Sequence, residues 1–301
     1  MRSVPFRSKA QSKVPKLKEK VPKKESGIKM SPSVQFFIII SLFVTGMTIF
    51  SSAKVAASQW EQTSYNFNEL LKKREPLARE KLWDPNVQVY FFGEWHEVSP
   101  AKDESIRQLI NFKKHGKITH LAFEMLEASA QPELDRPVSQ RRILNEQFYD
   151  WDFIPGKYME LAEAAIQNKI KIVGLDTPLH LGQMEEQNIF WANVIQNILK
   201  KEPKAKIMVY CGVNHAGVFP PGKTADRILN EMGVRTKVVH LAGGLKMEIS
   251  DRSNNISQRV AQAAEKMGLE KTFFGLDVSD TKNEFGVDYV VHVPEEPAPQ
   301  P

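Results

Sequence analysis

Cysteine is almost missing from this chain. Cys211 stands alone in 301 residues, so no intramolecular disulfide and no cysteine-based zinc site can form. A glycine-rich phosphate loop is also missing. Gly243-Gly244 is the one close glycine pair near a strand end, and it lacks the spacing of a dinucleotide fingerprint. Long apolar runs are scarce, with one exception near the start. A net positive charge is missing outside the first thirty residues. The formal charge is +5, but residues 1–30 carry ten Lys/Arg against Glu19 and Glu25, a local +8 that leaves the remainder at −3. A mildly acidic body argues against a nucleic-acid-binding domain.

Five segments follow from composition. Residues 1–32 are rich in Lys, Pro and Ser and are expected to be disordered. Residues 33–57 hold the apolar exception: from Phe36 to Phe50 there is neither charge nor proline. Extended through Ala53, the run reaches the roughly 20 residues that a spanning helix needs. It reads as a single-pass signal anchor in the inner membrane, with the basic tail in the cytoplasm and the rest in the periplasm or outside. The alternative is a secretory signal cleaved near Ala57. Residues 58–84 form a polar linker in which Phe67, Leu70, Leu71 and Leu77 suggest a short amphipathic helix. Residues 85–294 are the folded domain, and 295–301 are a loose proline-rich tail.

Within 85–294, apolar strands alternate with helical periodicity. Strands are expected at 87–92, 118–123, 170–175, 206–210 and 236–241, with two further extended pieces at 272–278 and 288–293. Helices are expected from Ser99 to about Gly116, around 143–149 and 158–167, and at 184–200, 225–232 and 257–267. The core face of the first is assigned to Ile106, Leu109, Ile110 and Phe112, and the helix at 184–200 carries Ile189, Phe190, Val194, Ile198 and Leu199. Alternation of this kind means βαβ crossovers. The fold class is therefore α/β: a mainly parallel sheet flanked by helices, with a helical insertion between strands two and three.

The chemistry gathers at strand ends. Phe92-Gly93-Glu94-Trp95-His96 leaves the first strand through a glycine and offers two proton- or metal-binding groups at once. Glu94 and His96 are two residues apart, on one side of an extended chain. Glu124 and Asp176 end the next two strands, and Gly212-Val213-Asn214-His215 repeats the Gly-x-x-His corner after the fourth. In a parallel sheet these ends share one edge, where open α/β sheets build their sites. Two His and two or three carboxylates suit a divalent metal, with His96, Glu124 and His215 as ligands. They equally suit general acid–base work without metal, with Glu94, His96, Glu124 and His215 as catalytic groups. Cys211 reads as a buried thiol. His120, His240 and His292 read as strand residues, and His115 and His180 as solvated.

These blocks resemble the ChaN-like, haem-binding-uptake family of the Tiki superfamily, which also takes in TraB and erythromycin-esterase relatives. Phe92–His96 looks like its G-E-x-H motif. Phe123-Glu124-Met125-Leu126 with Gln131–Asp135, Trp151-Asp152 with Tyr158 and Leu161-Ala162, Gly212–His215, and Asp288–Val291 look like its later blocks. The resemblance spans about 87–293. It implies an α/β domain that binds haem and serves iron uptake, or one that hydrolyses peptide or ester bonds through Glu and His. Haem would be held by His96, His215 or Tyr210, with Phe148, Tyr149, Trp151, Phe153 and Trp191 as possible walls. Two departures stand out: Glu97–Asp103 lacks the further histidines frequent in ChaN-like members, and the lipid-anchoring cysteine is missing. The expectation is a membrane-anchored, extracytoplasmic protein binding haem or a metal ion. A Glu/His hydrolase and a non-catalytic binding module stand as alternatives.

Overall fold

The computed structural model describes residues 66–96, 98–115, 117–135, 155–176, 184–217, 223–244, 256–281 and 285–294. The proposed anchor at 33–57, the helix expected at 143–149, His180 and the terminal tail lie outside these residues. No helix among the described residues is long and apolar enough to cross a membrane.

Seven strands make one sheet in the order β3-β2-β4-β1-β5-β7-β6. They are β1 (Val89–Glu94), β2 (His120–Glu127), β3 (Lys171–Asp176), β4 (Ile207–Gly212), β5 (Thr236–Gly243), β6 (Phe274–Asp277) and β7 (Tyr289–Val293). All neighbours are parallel except β6, which pairs antiparallel with β7. The helices are α1 (Phe67–Lys72), α2 (Ser99–Lys114), α3 (Gln131–Leu134), α4 (Pro155–Gln167), α5 (Met184–Lys201), α6 (Ala225–Glu231) and α7 (Ile256–Lys266). The expected α/β class and its mainly parallel sheet are therefore present.

From the central β1 the chain steps outward through β2 to β3, then returns to β4 and continues past β1 to β5. Because parallel crossovers are right-handed, reversing the direction of travel moves the connecting helices to the other face. Tyr90, Phe92, Leu121, Phe123, Met208 and Tyr210 form one apolar layer with Leu109 and Phe112 of α2 and Tyr158, Leu161 and Ala165 of α4. Intervening residues such as Val89, Phe91, Val209 and Val238 are buried as well. Burial on both faces explains why these strands read as continuous apolar runs rather than as alternation.

Two helix faces differ from expectation. In α2, Leu109 and Phe112 are buried but Ile110 is exposed. In α5 the buried stripe is Asn188, Trp191, Ala192, Ile195 and Leu199, and Ile189 is exposed. Short apolar clusters let either of two adjacent phases look plausible; packing on the sheet decides between them. Helix α1, with Phe67, Leu70 and Leu71 buried, packs on α7 within the same compact unit as the sheet. Glu75 then bridges to Gly275 of the edge strand β6.

Candidate active site at the carboxyl edge of the sheet

Glu94 and Gly212 pair in register at the carboxyl ends of the neighbouring strands β1 and β4. Glu94 alternates with Phe92 and Tyr90, so it faces the α2/α4 side. There it meets Lys102, which the sequence did not single out, and Tyr158, which the sequence placed in a resemblance block without a role at the site. Lys102 donates to Glu94 Oε2 at 2.9 Å, and Tyr158 donates to Glu94 Oε1 at 3.3 Å. Lys102 also donates to the carbonyls of His96 (2.6 Å) and Val98 (3.4 Å), and its ammonium lies 4.7 Å from the Tyr158 ring centroid. Lys102 and Glu94 are both fully enclosed. A carboxylate in such a place needs a countercharge and donors, and it has both.

A readable sign of Lys102 existed. Helix α2 opens Ser-Pro-Ala-Lys with no acidic residue in its first turn. A cation there opposes the helix dipole, so a buried anion was needed to explain it.

His96 lies just past the strand. Its Nδ1 is 2.9 Å from Glu94 Oε1 and 3.2 Å from the Tyr158 hydroxyl. With the Glu94 carboxylate as acceptor, Nδ1 is the protonated nitrogen and Nε2 carries the lone pair. Nε2 stands 3.9 Å from Glu124 Oε1. Burial opposes charge on this imidazole, but the Glu94 hydrogen bond and the charges of Glu124 and Glu94 outweigh it, and the His96 pKa lies above the usual histidine value.

Glu124 belongs to β2 but not to its end, since the strand runs on through an irregularity to Glu127. Asp176 accordingly ends β3 opposite Glu127, not opposite Glu124. Glu124 Oε2 accepts from the Gly212 amide at 2.5 Å, and Oε1 lies 3.1 Å from His215 Nε2. Burial works against ionisation of Glu124, yet the two imidazoles and the Gly212 amide hold its pKa below the usual carboxylate range. His215 sits in a single 3-10 turn, Val213–His215, directly after β4. Its Nδ1 is 2.8 Å from Asn188 Oδ1, and its ring stacks on Trp191 with centroids 4.2 Å apart. Asn188 was also missed, because a polar residue in the first turns of a helix reads as solvated.

Gly212 makes the meeting of the two corners possible. Its backbone is ordinary, but a Cβ there would lie 2.9 Å from His96 Nε2 and 3.6 Å from Glu124 Oε2. The four groups singled out from sequence, Glu94, His96, Glu124 and His215, are thus brought together. Side-chain exposure separates them: His96 is 18% exposed, Glu94 0%, Glu124 3% and His215 7%.

The expected ligand roles fare differently. Among the described residues, no group of three or more His, Cys, Asp and Glu side chains is arranged to hold a metal ion. His96, Glu124 and His215 converge, but Glu124 spends one oxygen on the Gly212 amide and the other on His215, and His96 Nε2 is 3.9 Å away. As haem ligands, His215 and Tyr210 do not fit. Both His215 nitrogens are engaged within the protein. The Tyr210 hydroxyl is fully buried without a hydrogen bond of good geometry, and burial together with the Glu94 charge pushes its pKa well above the usual phenol value. A phenol so placed offers no oxygen to a group arriving from solvent. His96 Nε2 is the one candidate ligand atom on a partly exposed ring.

Cys211 is buried, and burial with the nearby Glu124, Asp226 and Glu94 charges raises its thiol pKa well above the usual value, so it is no nucleophile here. His120, His240 and His292 are buried structural residues. His240 Nε2 is 2.9 Å from the Ala216 carbonyl, and His292 Nδ1 is 2.8 Å from the Thr272 carbonyl with its ring stacked on Phe274.

Fold and site define an α/β protein with paired Glu/His corners at the carboxyl edge of a parallel sheet. The family model described as haem-binding uptake, Tiki superfamily, ChaN matches residues 85–188, from the approach to β1 into α5, which bears out the resemblance read from the motifs. No curated protein matches the chain in sequence. Among solved structures, the chain is similar to ChaN of Campylobacter jejuni in a study of cofacial heme binding, at 15% identity and a TM-score of 0.37, covering 56% of this chain and 85% of that one. It is similar to a mutant of the erythromycin esterase EreC in its open conformation, at 11% identity and a TM-score of 0.49, covering 78% and 96%. The type III effector HopBA1 aligns at 16% identity and a TM-score of 0.41, covering 69% and 88%.

Proposed function

We propose that the chain is a hydrolase in which His96 activates water for attack on an ester or amide carbonyl. The observation that carries this reading is the state of His96: Glu94 fixes its Nδ1 as donor at 2.9 Å, and its ring is the most exposed of the four. A general base needs this arrangement, with one nitrogen anchored and the other presenting its lone pair. His96 Nε2 takes a proton as the water oxygen bonds to the carbonyl carbon, and Glu94 stabilises the resulting imidazolium. Lys102 and Tyr158 hold Glu94 in place. His215, beside Glu124, supplies the proton that the leaving oxygen or nitrogen takes as its bond to carbon breaks. No protein nucleophile takes part, in keeping with the buried thiol of Cys211. The test is turnover of a panel of p-nitrophenyl esters and chromogenic peptide amides by the full chain, lost in His96→Gln.

A second reading is favoured by the family match, which spans His96. In it, His96 is the residue that would hold a haem iron, and the chain would serve haem uptake. Titration with haemin distinguishes the two: a Soret band that His96→Ala removes supports haem binding, and an unchanged spectrum of free haemin counts against it. In either reading the segment 33–57 anchors the chain with its domain outside the cytoplasm. The charge of residues 1–30 supports that orientation, and protease accessibility in spheroplasts tests it.

A further inference from the structure

Asn188 is 2% exposed and lies on α5, 27 residues before His215. Its amide has only one self-consistent orientation. Asn188 Nδ2 donates to the Lys223 carbonyl at 3.0 Å, and a carbonyl can only accept, so the nitrogen end faces Lys223. The oxygen end therefore faces His215 Nδ1 at 2.8 Å. An amide oxygen can only accept, so Nδ1 must carry a hydrogen. On the far side of the ring, Nε2 lies 3.1 Å from Glu124 Oε1. Two lone pairs do not meet at that distance, so one proton lies between them. Trp191, stacked 4.2 Å away and 28° from parallel, fixes the plane in which both contacts are made.

We propose that Asn188 is a positioning residue that fixes His215 as the Nδ1–H tautomer, leaving Nε2, next to Glu124, as the nitrogen through which the site gives up and recovers a proton. The tautomer stands on hydrogen-bond geometry; its use as the acid rests on the hydrolytic reading. Lys223 opens the approach to α6, so the same amide ties the start of α5 to the segment that leads into α6. Glu124 alone would favour the opposite neutral tautomer, with the hydrogen on Nε2. Asn188 is what turns the ring's proton inventory around.

The experiment is a long-range 1H–15N spectrum of the full chain labelled with 15N-histidine. It has seven histidines to assign, and single His→Gln variants assign the His215 signals. In the wild type, His215 Nδ1 is protonated at pH 7 and at pH 9. Asn188→Leu shifts His215 toward the Nε2–H tautomer at pH 9. Asn188→Asp, which keeps an acceptor at the same place, retains Nδ1–H. A wild-type His215 in the Nε2–H form overturns the proposal by itself, whether or not Asn188→Leu folds. So does an Asn188→Leu spectrum with Nδ1–H unchanged, or an Asn188→Asp spectrum that loses it. With a turned-over ester in hand, Asn188→Leu lowers kcat at least about tenfold with KM held, as expected for a ring in the wrong tautomer, and an unchanged kcat overturns the positioning role. The predicted tautomer without turnover of any substrate removes the hydrolytic reading and leaves the assignment standing.

Discussion

Replacing Lys102 by methionine tests the charge balance beneath the site. Methionine keeps nearly the length of the lysine stem and removes the ammonium. Glu94 then keeps the His96 and Tyr158 donors but loses its cation, in a place where neither Lys102 nor Glu94 touches solvent. Breaking a buried ion pair from one side costs about 3–5 kcal/mol. The two remaining donors bring the expected loss to the lower end of that range, roughly 3 kcal/mol, while the carbonyls of His96 and Val98 lose a donor as well. Against a total stability of about 5–15 kcal/mol for a domain, this is a large share. Urea unfolding at pH 7 measures it. The double variant Lys102→Met/Glu94→Gln removes both charges and should be more stable than the sum of the two single losses predicts, by about 1–3 kcal/mol. A Lys102→Met loss under about 1 kcal/mol, or strict additivity of the two changes, would refute the view that Lys102 neutralises a buried Glu94.

Gly212→Ala places a methyl 2.9 Å from His96 Nε2; because that ring is partly exposed and can shift, the stability loss should stay near 1 kcal/mol, while carbethoxylation of His96 by diethylpyrocarbonate, read by peptide mass spectrometry, slows sharply. Hydrolysis should rise with pH along a limb centred above 6.5, because the base must be neutral and the Glu94 hydrogen bond with the Glu124 charge raises the His96 pKa despite burial; a pH–rate profile checks this. Asp226, which accepts from the Gly217 amide at 2.9 Å, has its pKa raised by burial from 3.8 to about 6. Since the folded value is above the unfolded one, its contribution is complete below about pH 3.8 and is lost as pH rises through about 6. The loss is on the order of 3 kcal/mol, and Asp226→Asn should flatten that part of the stability profile in urea titrations between pH 4 and 8.

The strands were legible because a parallel sheet buried on both faces writes itself as apolar runs, and β1, β4 and β7 begin within two residues of expectation. The Gly-x-x-His corners were legible because a glycine followed by ionisable groups at a strand exit is a local pattern. What was not legible depends on crossings between elements. Lys102, Tyr158 and Asn188 reach the site from three helices; Tyr158 belongs to a block of the family resemblance without a role attached to it, Lys102 left the trace of a cation near the start of its helix, and Asn188 left none. Glu124 was placed at a strand end because a break in regular pairing after Phe123 cannot be seen in an apolar run. A strand tyrosine such as Tyr210 can pack or approach a cofactor, and the apolar layer closes over this one.

Among the expected ligands, the Gly-x-x-His corners set His96 and His215 ahead of Tyr210 in the sequence, and geometry separates the two histidines. Hydrogen bonds within the protein consume His215, and burial removes Tyr210. His96 is the most exposed of the four site side chains. His96 is therefore the base in the hydrolytic reading, His215 the acid beside Glu124, and Glu94 and Glu124 hold charge around them.

The most direct measurement is the initial rate of ester and peptide hydrolysis by the full chain and by His96→Gln, with both shown to be equally folded by circular dichroism and urea midpoint. Turnover is expected in the wild type and none above background in His96→Gln. Equal rates for the two proteins would rule out His96 as the base.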